Sequence, residues 1–209
     1  MCRKNESTHP KTPARQTEQA AGEPVASHAK RRAVRGLYNV RVLTFAASMT
    51  AVSYLLGALA KLLQGTGVLR LTLENLPVIF SAILCGPFVG AAVGAGADIL
   101  SCLTAGQPWN PLITVGVVVI GLVAGFLGRK IRPGTSSFLP ILRVELAAHF
   151  LGSVLIKSAA LAWLFRVDIA YLSLRIPIYL AISLIETFIL FFLFSSPALL
   201  RPLEGIMRK

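Results

Sequence analysis

The segment from Leu71 to Leu103, LTLENLPVIFSAILCGPFVGAAVGAGADILSCL, limits the possible folds more than any other part of the chain. It holds two apolar runs separated by Gly86-Pro87 and ends in a helix-like ladder of small residues that carries an acid. Asn75 stands two residues before Pro77, a pattern that predicts an N-cap at Asn75 and a helix from about Leu76. The helix between this start and Gly86 spans only about 16 Å at 1.5 Å per residue. A hydrocarbon core is about 30 Å thick. Arg70 to Asn75 therefore continue the path at membrane depth as non-helical chain, which is tolerated only inside protein or beside a wet cavity. Short, interrupted apolar segments of this kind mark substrate sites in transporters.

After the break, Gly86, Gly90, Gly94 and Asp98 recur at four-residue steps and share roughly one helix face. Small residues let a neighbouring helix approach closely, so this face, with Asp98 on it, is expected to turn into the bundle. An acid in that position is costly and reads first as functional.

The class follows from composition. Of 209 residues, 55% are hydrophobic, above the usual range for soluble domains, and the excess lies after residue 37. The expected fold is an all-α membrane protein, a bundle of six transmembrane helices at about 40–60, 72–86, 87–105, 112–128, 141–165 and 174–196. Residues 1–36 are polar, basic and proline-containing, and read as a disordered cytoplasmic tail with no signal peptide. Residues 37–197 form the membrane domain, and 198–209 a short cytoplasmic C-terminal tail.

The net charge of +12 is a topology signal. Most of the 21 Lys and Arg fall in the N-terminal tail, in the loop after the fourth span and at the C-terminus. By the positive-inside rule both termini are cytoplasmic. The cluster Lys30, Arg31, Arg32 and Arg35 anchors the first span at anionic lipid, so no nucleic-acid partner is expected.

With that topology Glu74, Asn75, Asp98 and Lys157 converge on a pocket in the outer half, flanked by Arg70 and Arg175. Asp98 and Lys157 could pair with one another. Trp109 and Asn110 lie in an outer loop, Trp109 as a belt residue or a stacking surface and Asn110 as a donor and acceptor. Glu145 and His149, four apart on one helix face, read as a structural hydrogen bond, and Glu186 could reach Lys157 or a neighbouring helix. Ala47 and Ala51, like Gly121 and Gly125, are small pairs at helical spacing. Cys2, Cys85 and Cys102 imply no disulfide. No phosphate loop, metal-ligand cluster or nucleophile–base pair is read from the sequence. The chain is therefore expected to be no enzyme, to need no cofactor, and to depend on an ATPase or a gradient for uphill transport.

Residues 69–100, LRLTLENLPVIFSAILCGPFVGAAVGAGADIL, resemble the folate family of substrate-binding S components of energy-coupling factor vitamin transporters. The stretch LGSVLIKSAALAWLF at 151–165 and Arg175-Ile176-Pro177 also fit, and the resemblance extends over about 37–197. The spacing Gly86-Pro87, Gly90, Gly94, Asp98 is shared with S components for other vitamins, while Leu71, Glu74, Asn75, Leu76 and Pro77 are more particular to the folate branch. The resemblance implies a subunit of a bacterial plasma membrane that captures folate or a related pterin from outside. It also implies docking, through Ala47 and Ala51, on a transmembrane coupling protein with two cytoplasmic ATPases. Similar family members often carry an amide where this chain has Lys157. The alternatives from the residues are an S component for riboflavin, a queuosine precursor or pantothenate, a proton-coupled carrier, or a membrane scaffold.

Overall fold

The computed structural model describes residues 40–64, 72–106, 109–131, 137–166 and 173–200. All regular elements among them are helical. In order they are α1 (Val40–Gln64), α2 (Leu76–Cys85), α3 (Pro87–Ala105), α4 (Pro111–Leu127) and α5 (Phe138–Ala148). The last of these runs on through a π-helical segment, His149–Lys157, into α6 (Ser158–Phe165). Finally come α7 (Arg175–Ser195) and the short α8 (Pro197–Leu200). A 3-10 turn at Gly128–Lys130 closes α4. The tails at 1–36 and 201–209, and the loop that carries Arg70, lie outside the described residues.

Among the described residues, five helices are long and apolar enough to cross a membrane: Val40–Leu63, Pro87–Ala105, Pro111–Lys130, Phe138–Trp163 and Arg175–Ser195. The sixth expected span, 72–86, contains only the ten-residue helix α2. We read the chain as a multi-pass membrane protein on these helices.

The short helix forms as the sequence predicts. Pro77 sits in its first turn, where a missing N–H costs nothing, and Gly86 ends it with φ 109°. That backbone conformation is open to glycine and strained for other residues. The Gly86 N–H still bonds Ala82 O at 3.0 Å, and Pro87 starts α3 at once. One predicted detail is corrected. Asn75 has helical backbone angles, φ −83° and ψ −18°, and its side chain caps nothing.

From Pro77 to Leu84 every residue of α2 is buried. A helix apolar on all sides needs neighbours on all sides, and α2 packs against α1, α3 and α4, with a smaller contact to α7. Its one polar interior residue, Ser81, donates to Val78 O at 2.9 Å within the helix. The aromatic rings of Phe45, Phe80 and Phe194 join α1, α2 and α7, with centroids 6.2 Å and 5.5 Å apart. Together with Ile79, Ile83, Ile120, Ile141 and Leu190 they form the dry core.

The glycine ladders set the closest helix approach. A Cβ on Gly121 of α4 would sit 2.5 Å from the Ala91 nitrogen of α3. Gly125 faces the Pro87 backbone in the same way, and Gly94 faces Val117. The pair Gly121 and Gly125 is therefore a packing device.

Because the atoms facing Gly121 are backbone, Gly121→Ala forces α3 and α4 apart. It is expected to cost about 1–3 kcal/mol. Gly96→Ala, which meets only the Thr50 side chain at 3.1 Å, is expected to cost less. Unfolding midpoints of the two variants in detergent check the order.

Candidate functional site

The polar groups gather at one end of the bundle. Successive helices alternate in direction, so the C-terminal halves of α1 and α3 meet the beginnings of α2 and α4 there. The chain that precedes α2 is held by side chains. Buried Ser53 of α1 donates to Glu74 O at 2.5 Å, and the Glu74 N–H donates to Thr72 Oγ1 at 3.3 Å. These bonds satisfy backbone that no helix serves, as membrane-depth loops require.

A cavity of about 30 Å³ lies here, lined by Ser53, Tyr54, Glu74, Asn75, Asp98 and Ser101 with Gly57, Gly94, Ala97 and Val117. Its size admits a water or two. Gly57 leaves room for the Glu74 carboxylate, whose Oε2 would lie 2.8 Å from a Cβ at that position.

Asp98 lines this cavity as the glycine face of α3 predicts. Its Oδ2 accepts from Thr114 Oγ1 at 2.6 Å, and Thr114 Oγ1 accepts from the Trp109 indole N–H at 2.8 Å. A hydroxyl that both accepts and donates links the exposed tryptophan to the acid. Thr114 was not a candidate from the sequence; an N-terminal helix position one turn after Asn110 was the available signal.

Asn110 caps α4. Its Oδ1 accepts from the Leu112 N–H at 3.0 Å, and Pro111 follows at the first helical position. Its Nδ2 is buried without a hydrogen-bond partner among the described residues, and so is Asn75 Oδ1. The first of these amides is thus half committed to the fold, while the second stands in the cavity wall with an unmatched acceptor.

Lys157 pairs with Glu74, Nζ to Oε1 at 3.9 Å, and not with Asp98. The alternative in which Asp98 and Lys157 pair with one another is not the one formed. The π-helical segment ends at Lys157, and its stem lies against Gly116 of α4. Lys61 of α1 bonds Ser101 of α3 at the same end.

Arg175 is 4% exposed but does not line the cavity. Its Nη2 donates to the Tyr179 hydroxyl at 2.9 Å, and the guanidinium lies 5.2 Å from the same ring. Arg175 Nε and Nη1 have no partner among the described residues. Arg70 lies outside the described residues. Of the predicted site, Glu74, Asn75 and Asp98 line the cavity; Trp109 and Asn110 are linked to Asp98 through Thr114, Lys157 is linked to Glu74, and Arg175 stands apart.

On α1, Ala47 and Ala51 are both exposed on the outer face of the bundle. Their neighbours on that face, Leu43 and Leu55, are exposed as well.

A second polar cluster lies deeper. His149 Nε2 is 2.6 Å from Glu186 Oε2 and 3.5 Å from Glu145 Oε2, so the hydrogen bond expected between Glu145 and His149 forms instead between Glu186 and His149, with Glu145 close by. Glu186 does not reach Lys157; it faces His149 across the α5–α7 interface.

No family model matches the chain. A curated relative, the "Uncharacterized protein MG098 homolog" of Mycoplasma pneumoniae, is 35% identical over 71 residues. That match covers 34% of this chain and 15% of the relative.

Replacing Thr114 by Val keeps its shape and removes the hydroxyl between Trp109 and Asp98. The expected loss is about 1–3 kcal/mol, because an acid and an indole N–H are left unmatched. In a Trp163→Phe background, Trp109 fluorescence is expected to shift relative to the same background with Thr114 intact.

Proposed function

We propose that the chain is the substrate-capture subunit of an energy-coupling-factor-type vitamin transporter, binding folate or a related pterin from the exterior of a bacterial plasma membrane. The observation that carries this reading is the Asp98 carboxylate, which lines a small polar cavity at one end of the bundle beside its apolar core. Glycine spacing turns it inward, and Thr114 fixes its orientation by a hydrogen bond to Oδ2. A carboxylate is the natural partner for a pterin, whose amino group and ring N–H present two parallel donors. Asn75 Oδ1, buried and unmatched, supplies a further acceptor in the same wall. Lys157, held at Glu74, supplies a cation for an anionic tail.

In this reading the bundle has six spans with both termini cytoplasmic, and α2 with the chain before it makes the second crossing. The cavity is far smaller than a vitamin, so capture requires the helices around it to separate. Satisfied but non-helical backbone at Thr72–Asn75 is the weakest wall by construction, since side chains and not a helix ladder hold it. The exposed Ala47 and Ala51 offer a flat strip on which a helix of the coupling protein can lie closely. ATP hydrolysis belongs to partner subunits, and the chain itself is not an enzyme.

Binding of tritiated folate by purified protein tests the reading. Wild type is expected to bind, and Asp98→Ala to lose about 100-fold or more, the value of two charge-assisted hydrogen bonds. Ala47→Trp is expected to leave binding intact and abolish copurification with the coupling protein. Normal folate affinity in Asp98→Ala would refute the pterin contact. Binding of riboflavin, a queuosine precursor or pantothenate in place of folate would move the chain to another branch of the same class. Uptake that needs a proton gradient and no ATPase would remove it from that class.

A further inference from the structure

Glu145, His149 and Glu186 are 0%, 1% and 0% exposed, and one ligand atom from each lies within 4.8 Å of the others. The cavity chemistry above makes no use of them. Both oxygens of Glu145 and Oε1 of Glu186 have no hydrogen-bond partner among the described residues. Three buried carboxylate oxygens without a donor are unusual in a folded protein, and such atoms commonly mark a missing ion or water. The site is enclosed: Ile141, Ile182 and Leu190 are fully buried on the same helices, and so are the hydroxyl residues Ser183 and Thr187, which bond their own helix backbone.

Charge decides what belongs there. With both carboxylates ionised, the site stays negative even when the imidazole is protonated, and without a cation it can be neutral only by holding extra protons. A divalent cation with a neutral imidazole makes the site neutral, which a low-dielectric interior favours strongly. The imidazole ligand selects a transition metal over magnesium or calcium.

The geometry is suited to it. The 3.5 Å between His149 Nε2 and Glu145 Oε2 is close to the roughly 3.3 Å between ligands that sit about 2.0–2.1 Å from a tetrahedral metal. Glu186 Oε2 at 2.6 Å is at hydrogen-bond distance, so loading requires it to retreat by less than an ångström or to present its unpartnered Oε1. His149 Nδ1 lies 3.5 Å from Ser153 Oγ, and its ring stacks on Tyr179 with centroids 5.5 Å apart. A proton on Nδ1 facing Ser153 leaves the Nε2 lone pair for a metal, the second-shell arrangement metal-bound histidines use. The π-helical segment begins at His149 itself, and such widened turns occur preferentially at functional sites.

We propose that Glu145, His149 and Glu186 form a binding site for one divalent transition-metal cation, which ties α5 to α7 inside the bundle. The site is separate from the Asp98 cavity and does not rest on the pterin reading.

The test is elemental analysis of full-length protein, purified in detergent without chelator from cells grown with added Zn²⁺ or, in parallel, Mn²⁺. Growth with metal matters because a fully buried site fills as the chain folds. Wild type is expected to carry about one ion per chain. The isosteric variants Glu145→Gln and Glu186→Gln are expected to fall to background with helical circular dichroism unchanged. Should the variants fail to fold, Co²⁺-grown wild type gives an independent readout. Visible ligand-field bands are expected from a mixed nitrogen and oxygen ligand set. Wild type without a stoichiometric ion in all three cultures would overturn the proposal and leave a proton-sharing triad. Full metal content in the glutamine variants, or bound cobalt without those bands, would also overturn it.

Discussion

The bundle depends on the burial of α2 on every side. Ten residues without an exposed face cannot serve as a lipid-facing wall, so α1, α3 and α4 must close around them. Because α2 is about half the length of a membrane crossing, it leaves one end of that space to be filled by something else. The Thr72–Asn75 turn, the Glu74 carboxylate and the glycine face of α3 fill it. One shortage of helix therefore accounts for both the dry aromatic core at one end and the polar cavity at the other.

The two polar clusters differ in how their charges are compensated. In the cavity, each acid has a partner at hand: Thr114 for Asp98 and Lys157 for Glu74. Glu74 is also partly exposed, so water shares the work of solvation. The deeper triad has no such relief. Its three residues are fully buried, and among the described residues the imidazole between the two acids is the one basic group against them. A partly exposed polar site and a fully buried one thus coexist in the same bundle.

What the sequence made legible was local. Pro77 and Gly86-Pro87 bounded α2 to within a residue because proline and positive-φ glycine have few alternatives. The glycine period correctly turned Asp98 inward. Asn75 before a proline-containing first turn suggested a cap, but the turn placed Asn75 in helical geometry, where its side chain cannot fold back. Pairings between distant residues were not readable. Glu186 meets His149 across 37 positions, and Lys157 meets Glu74 and not Asp98, because relative helix rotation is set by packing that one chain's periodicity does not contain. The π-helical segment was hidden for the same reason: a widened turn changes which residues share a face, and no residue type announces it. Arg175 was expected to flank the cavity, yet Tyr179, one turn along its own helix, is its partner instead.

That segment starts at His149 and stops at Lys157, so one stretch of widened coil carries a member of each polar cluster at its two ends. It is seated where Gly152 and Gly116 bring α4 into contact with it. Tightening nine residues to ordinary winding would turn one terminus against the other and lengthen the rod between them. The imidazole and the ammonium thus share one stretch of backbone, and the winding of that stretch sets the angle between them.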